Sequence, residues 1–193
     1  MKKSNCFLLA LLLLLLSCTS NDDDTLPKIE DSDYFIEFKA NGNLIRYEPK
    51  LSSSMGFSYQ PDFGIYITTI LVLKDESVGN KNFISLTLRS NEAFKIGTEY
   101  DMQDAVTVTG IPQARINFTY GNEEGILHQA VLLKKPDGIL PINDEFYVTF
   151  NELGQDVTGT FHGTIFKANT AITSSRPSML ITDGKFRLKK LDL

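Results

Sequence analysis

Cysteine is almost missing from this chain: of 193 residues only Cys6 and Cys18 carry a thiol, and none follows position 18. Any domain built from the later residues therefore has neither a disulfide nor a thiolate metal site, and its core must hold it together. Tryptophan is absent, which removes the commonest sugar-stacking ring and leaves tyrosine for that role. Histidine occurs twice, as His128 and His162. A hydrolytic triad needs a histidine beside a nucleophile and an orienting acid, and a zinc site commonly pairs histidines at short spacing. No paired-histidine spacing is present, and both histidines fall in expected strands, where they read as sheet-face residues rather than bases. No EF-hand loop and no glycine-rich phosphate loop opening a helix occurs. No apolar run reaches the roughly 20 residues of a membrane-spanning helix.

What is present begins at the N-terminus. Lys2 and Lys3 precede a ten-residue apolar run, Phe7 to Leu16, which ends in Leu15-Leu16-Ser17-Cys18. A basic start, a short apolar stretch and a small residue before the cut are the parts of a secretory signal. Residues 1–17 are therefore expected to be removed. Directly behind Cys18 stand Asn21-Asp22-Asp23-Asp24, and the polar stretch continues to Asp33 with Pro27 as its only stiffener.

Charge separates the tether from the domain. The chain carries net −5, and loss of Lys2 and Lys3 makes it −7. Residues 18–33 hold six acids and one base, which leaves residues 34–193 at −2. A nearly balanced domain lacks the basic surface that phosphate neutralisation requires, so nucleic acid is not an expected partner. As a flexible segment the tether spans roughly 20 Å, extended further by self-repulsion. About 160 residues then remain, one domain's worth, enough to bury a core of their own.

Within 34–193 the pattern alternates in twos. Tyr34, Ile36 and Phe38 face one way, and Asn41-Gly42 supplies the positive-φ pair of a two-residue hairpin turn. The register this implies sets Phe38 opposite Ile45, Glu37 opposite Arg46 and Ile36 opposite Tyr47. Pro49 to Gly64 contains Met55, Phe57, Tyr59 and Phe63 without sustained periodicity, and reads as an irregular connection or ragged edge strand capping the core, or as a ligand loop. Ile65 to Leu73, Phe83 to Arg89, Ala114 to Tyr120, Ile126 to Lys134 and Phe146 to Phe150 read as strands. Lys135-Pro136-Asp137-Gly138 is turn chemistry. Val157, Phe161 and Ile165 share a face with Gly159 and Gly163 between them, where glycine beside a buried ring marks a bulge or close approach. Met179 to Leu188 reads as a closing hairpin about Asp183-Gly184, with Thr182 paired to Lys185 and the basic residues Lys185, Arg187 and Lys189 outward. The expected fold is all-β: an antiparallel sandwich or barrel of about 8–10 strands.

Leu15-Leu16-Ser17-Cys18 resembles the lipobox of bacterial lipoproteins, which implies diacylglycerol attachment at Cys18 as the mature first residue. Multiple acyl chains make a firm anchor where one is marginal. The acidic cluster Asp22, Asp23, Asp24 resembles the surface-export signal of Bacteroidetes lipoproteins and implies an outer-membrane protein facing the exterior. Asp24-Thr25-Leu26 is similar to the O-glycosylation sequon of that group, and Asn117-Phe118-Thr119 fits N-glycosylation by pattern only. Across the domain, Asn41-Gly42, Gly97-Thr98-Glu99-Tyr100, Val157-Thr158-Gly159-Thr160-Phe161 and Ile181-Thr182-Asp183-Gly184-Lys185-Phe186 resemble an uncharacterised β-rich domain of Bacteroidetes lipoproteins, from which Ala130 to Asp144 departs as an insertion. The resemblance implies no catalytic residue, cofactor or metal. The expected function is a non-catalytic binding or structural module recognising a glycan, peptide or partner lipoprotein, with a lipocalin-like carrier of a small apolar ligand as the alternative. Cys18→Ala is expected to release the protein from the membrane fraction. Replacing Asp22, Asp23 and Asp24 by Ala should leave it membrane-bound yet protected from protease added to intact cells, and continued shaving would refute the sorting role.

Overall fold

A computed structural model describes residues 34–48, 54–74, 79–130, 145–170 and 177–191. Cys18, Asp22, Asp23 and Asp24, the Lys135-Pro136-Asp137-Gly138 turn and most of the apparent insertion lie outside the described residues. The first hairpin is β1 (Phe35–Ala40) and β2 (Asn43–Tyr47). It has the expected register, Ala40 to Asn43 through Ile36 to Tyr47, about Asn41 at φ 48° and Gly42 at φ 85°. Arg46 closes on Glu37 at 2.6 Å, the cross-strand pair read from the sequence.

Two layers follow. β3 (Ser54–Gln60), β4 (Ile65–Leu73), β5 (Phe83–Ser90), β9 (Ile116–Gly121) and β10 (Leu127–Ala130) form one, in that spatial order. The other runs β2-β1-β13-β12-β11-β6, where β6 is Glu99–Asp101, β11 Phe146–Leu153, β12 Asp156–Lys167 and β13 Ser178–Leu191. β7 (Val106–Val108) and β8 (Ile111–Gln113) pair only with each other. The layers are continuous at two corners. Lys189 to Leu191 of β13 pair in parallel with Ser54 to Gly56 of β3, and Phe166 and Lys167 of β12 pair with Gln129 and His128 of β10. Hydrogen bonding thus closes a circuit through β13, β3, β4, β5, β9, β10 and β12, a flattened barrel that leaves few open edges.

The interior is packed with rings. Phe38, Phe118, Phe146, Phe150, Phe161 and Phe186 are all buried, each contributing about 1.5–3 kcal/mol over exposure. Phe38 of β1 meets Phe118 of β9 edge-on at 6.0 Å, and Phe118 stacks on Phe146 of β11 at 4.9 Å, so rings of the two layers touch across the core. Among them sit glycines. Gly159 pairs with Phe186, Gly184 with Phe161, Gly163 with Phe146 and Gly121 with Phe83, each a direct cross-strand pair. A Cβ at Gly159 would lie 2.5 Å from both the Phe186 ring and the Thr149 carbonyl oxygen, so each ring occupies the space of the missing side chain.

The expected closing hairpin is not formed: β13 is one continuous strand. Its partners show why. Phe161 pairs with Gly184 and Gly163 with Ile181, while Glu37 pairs with Lys185 and Lys39 with Thr182. Three steps of β13 thus match two on each neighbour, which is a β-bulge at Thr182-Asp183, with Asp183 at φ 53°. A bulge inverts the alternation, so Ile181 and Phe186 face the same core although their positions differ in parity. That inversion and a tight turn leave the same trace in a sequence. β3 is a regular strand within the stretch read as irregular or as a ragged edge: Ser54 to Gly56 are paired with β13 and Met55 is fully buried, while among the described residues Phe57 to Gln60 pair with β4 alone.

Gly184→Ala would drive a Cβ into the Phe161 carbonyl and ring. It is expected to lower stability in urea denaturation by about 1–3 kcal/mol. Gly154→Ala, whose Cβ would find 3.5 Å to the nearest atom, should stay within about 0.5 kcal/mol of the parent. Equal midpoints for the two variants would contradict the packing role.

Candidate binding cleft

One end of the fold gathers several chain features. Phe35 pairs with Arg187 and Asp156 with Lys189, so Tyr34, the β11–β12 turn and the C-terminal end of β13 lie together. β3 starts beside Lys189 and runs on past that end, carrying its turn with β4 outward. The turn closes with Gly64 N donating to Gln60 O at 2.9 Å, and its register sets Tyr59 opposite Tyr66. Both tyrosines belong to the inward phase of their strands but stand beyond the filled core. Their rings lie 4.8 Å apart at 43°, and Tyr59 is 52% exposed.

Opposite them the loop after β5 brings in Ala93 and Phe94. Phe94 packs against Phe57 at 5.8 Å and Phe150 at 5.5 Å, and Lys95 N donates to the Tyr100 hydroxyl at 2.8 Å, which pins the loop. Between the layers opens a cleft of about 300 Å³, lined by Phe57, Ser58, Tyr59, Tyr66, Ala93, Phe94, Leu153 and Lys190. Its walls are aromatic, and among the described residues that line it the one charged side chain is Lys190. Lys190 is held by its backbone N–H on Gln155 O at 2.8 Å, and its ammonium stands 5.8 Å from the Phe57 ring. Such a cation over a ring is partly desolvated on one side and offers its remaining donors to a ligand.

Leu153 and Lys190 also border a second recess with Tyr34, Gln155, Asp156 and Lys189. Asp156 is not a loose acid there. Arg187 donates two hydrogen bonds to Oδ2 at 2.7 and 3.0 Å and the Tyr34 hydroxyl donates to Oδ1 at 2.9 Å, and these, Arg187 first, hold its carboxyl below the usual range. It remains ionised and serves to fasten the first residues of the domain to β12 and β13.

The two histidines stand apart from this cleft. His162 stacks on Tyr147 at 5.0 Å on the outward side of β12. His128 of β10 lies against Tyr120 at 6.2 Å, its Nδ1 buried without a hydrogen-bond partner, and burial lowers its pKa. The imidazole is therefore neutral at pH 7. Among the described residues no three His, Cys, Asp or Glu side chains gather as a metal site.

The stretch read as a capping or ligand loop supplies Phe57, Ser58 and Tyr59 to the cleft, and it divides by depth: Met55 is core, Phe57 lines the floor, Tyr59 the mouth, and Phe63 is 49% exposed at the turn. The facing Tyr66, Phe94, Leu153 and Lys190 were not legible as a group. A usable signal existed for one of them: counting outward from the turn Pro61-Asp62-Phe63-Gly64 pairs Gln60 with Ile65 and hence Tyr59 with Tyr66. No family model matches the chain, and no curated protein or solved structure matches it significantly.

Proposed function

We propose that this chain is a lipid-anchored recognition module of the cell surface, held through acyl chains on Cys18, exported by Asp22, Asp23 and Asp24, and non-catalytic. Its cleft takes a peptide segment of a partner lipoprotein: an aromatic or apolar side chain between Tyr59, Tyr66 and Phe94, with a neighbouring carboxylate on Lys190. The observation that carries this reading is the cleft itself, whose lining among the described residues is apolar but for Ser58, the tyrosine hydroxyls and one ammonium, with no carboxylate. Such a wall favours a side-chain anchor over a freely hydrated ligand.

Its position supports the same partner. The tether of residues 18–33 joins the domain at Tyr34, at the end that carries the cleft. Anchored through acyl chains on Cys18, the domain would share the membrane surface with other anchored proteins. The ring-filled interior, with Phe38, Phe118, Phe161 and Ile165 all buried, supports surface recognition over a carrier with its ligand inside.

The test is selection of a displayed random peptide library on the purified mature protein. Enriched peptides are expected to share an aromatic or large aliphatic residue within two positions of Asp or Glu. Tyr59→Ala and Lys190→Ala should each weaken their binding at least tenfold, about 1.4 kcal/mol. Absence of enrichment, or binding that survives both substitutions, would overturn the reading, and loss of glycan-array binding on Tyr59→Ala would transfer the cleft to sugars.

A further inference from the structure

The two outer faces of the fold differ in charge. On the layer that holds β1 and β13, ion pairs cover the surface: Glu37 with Arg46 and Lys185, Asp156 with Arg187, Lys39 with Asp183. On the other layer, the outward positions of β3, β4, β5, β9 and β10 among the described residues include a single charged side chain, Arg89. Its guanidinium is half-buried and donates to Ala114 O at 3.3 Å and, with the Asn117 amide oxygen turned toward it, to that oxygen at 2.9 Å. In a chain with 22% charged residues a five-stranded outer face with no carboxylate or ammonium is a departure from an ordinary solvated surface.

Register orders what replaces the charges. One row crosses the strands as Thr69, Thr87 and Asn117, and the next as Leu71, Ser85, Thr119 and Gln129. Rows and columns are spaced by the sheet, about 4.8 Å between strands. The side chains are tied to one another: Thr69 Oγ1 lies 3.3 Å from Thr87 Oγ1, and Gln129 Nε2 donates to Thr119 Oγ1 at 3.4 Å. Beside them Leu71 and Leu73 are 54% and 43% exposed on one strand. The result is a rigid, neutral plane with hydroxyls and amides in rows and an aliphatic strip along one side.

We propose that this face binds an extended neutral polysaccharide. A dry protein interface would bury these hydroxyls and amides, each costing about 1–3 kcal/mol wherever a partner failed to pair it. A sugar chain presents hydroxyls at its edges and a C–H face to each side, so it satisfies the polar rows and covers Leu71 and Leu73 together. Charge complementarity points the same way: among the described residues Arg89, already bonded to Ala114 O, is the face's one charge, and no carboxylate or ammonium accompanies it. The surface lies on the outside of a layer whose inner side forms part of the cleft, and the proposal does not depend on what the cleft binds.

The experiment is native affinity electrophoresis of the mature protein through gels containing hydroxyethylcellulose, dextran or mannan, with polygalacturonate as the charged polymer. Retardation by at least one neutral polymer is expected. Leu71→Glu and Thr69→Lys, both at exposed positions and checked for unchanged thermal unfolding, should each weaken retardation at least tenfold, while Tyr59→Ala leaves it intact. No retardation by the three neutral polymers would overturn the proposal, as would retardation by polygalacturonate alone or retardation that both charged variants retain. Concentration-dependent sedimentation abolished by Leu71→Glu, without polymer binding, would assign the face to a second copy of the chain instead.

Discussion

Phenylalanine lying on glycine is the constraint around which this fold is arranged. β12 and β13 are the longest strands, and each belongs to both layers, pairing with one along most of its length and with the other at its end. Their inner face packs against the rings of the core, and at three places the backbone lies closer to a neighbouring strand's ring than any side chain permits. Gly159, Gly163 and Gly184 provide that approach, and Phe186, Phe146 and Phe161 fill it from the adjacent strand. Glycine within a strand loses packing and costs conformational entropy, and the covering ring restores the contact. Without a disulfide in the domain, this packing is what holds β11, β12 and β13 together over the core.

The cleft follows from the same geometry. β3 can join β13 only beyond the point where β1 stops pairing, so it enters late and overshoots the end of the other layer. Its last inward residues, Phe57 and Tyr59, have no complete opposing strand, and the loop with Phe94 closes only part of the gap. What remains is a wedge walled by aromatic side chains that would otherwise be core. Lys190 enters because β13 continues to its C-terminal pairing with β3.

How far the sequence discloses this depends on the range of the interactions. The first hairpin is set by two turn residues and by Glu37 facing Arg46, all within a dozen positions, and its register is readable on paper. The inward phases of Ile84, Leu86 and Leu88, or of Val157, Phe161 and Ile165, are likewise local and correctly read. β13 was misread because a bulge and a turn share the same signature, and what separates them is pairing with β1 and β12, far away in the chain. β7 and β8 leave no legible trace in the sequence because three-residue strands about Thr109-Gly110 carry too little alternation. The cleft unites positions from 57 to 190, and no local pattern announces such a set.

Native-state hydrogen exchange tests the central claim most directly. If β12 and β13 are held by phenylalanine packed over glycine, the backbone amides of Val157 to Ile165 and Ile181 to Leu188 that bond within the sheet should be the last to exchange. They should open together in one global unfolding step. Exchange from β12 and β13 as fast as from the β7–β8 hairpin, or β13 opening separately from β12, would contradict the account.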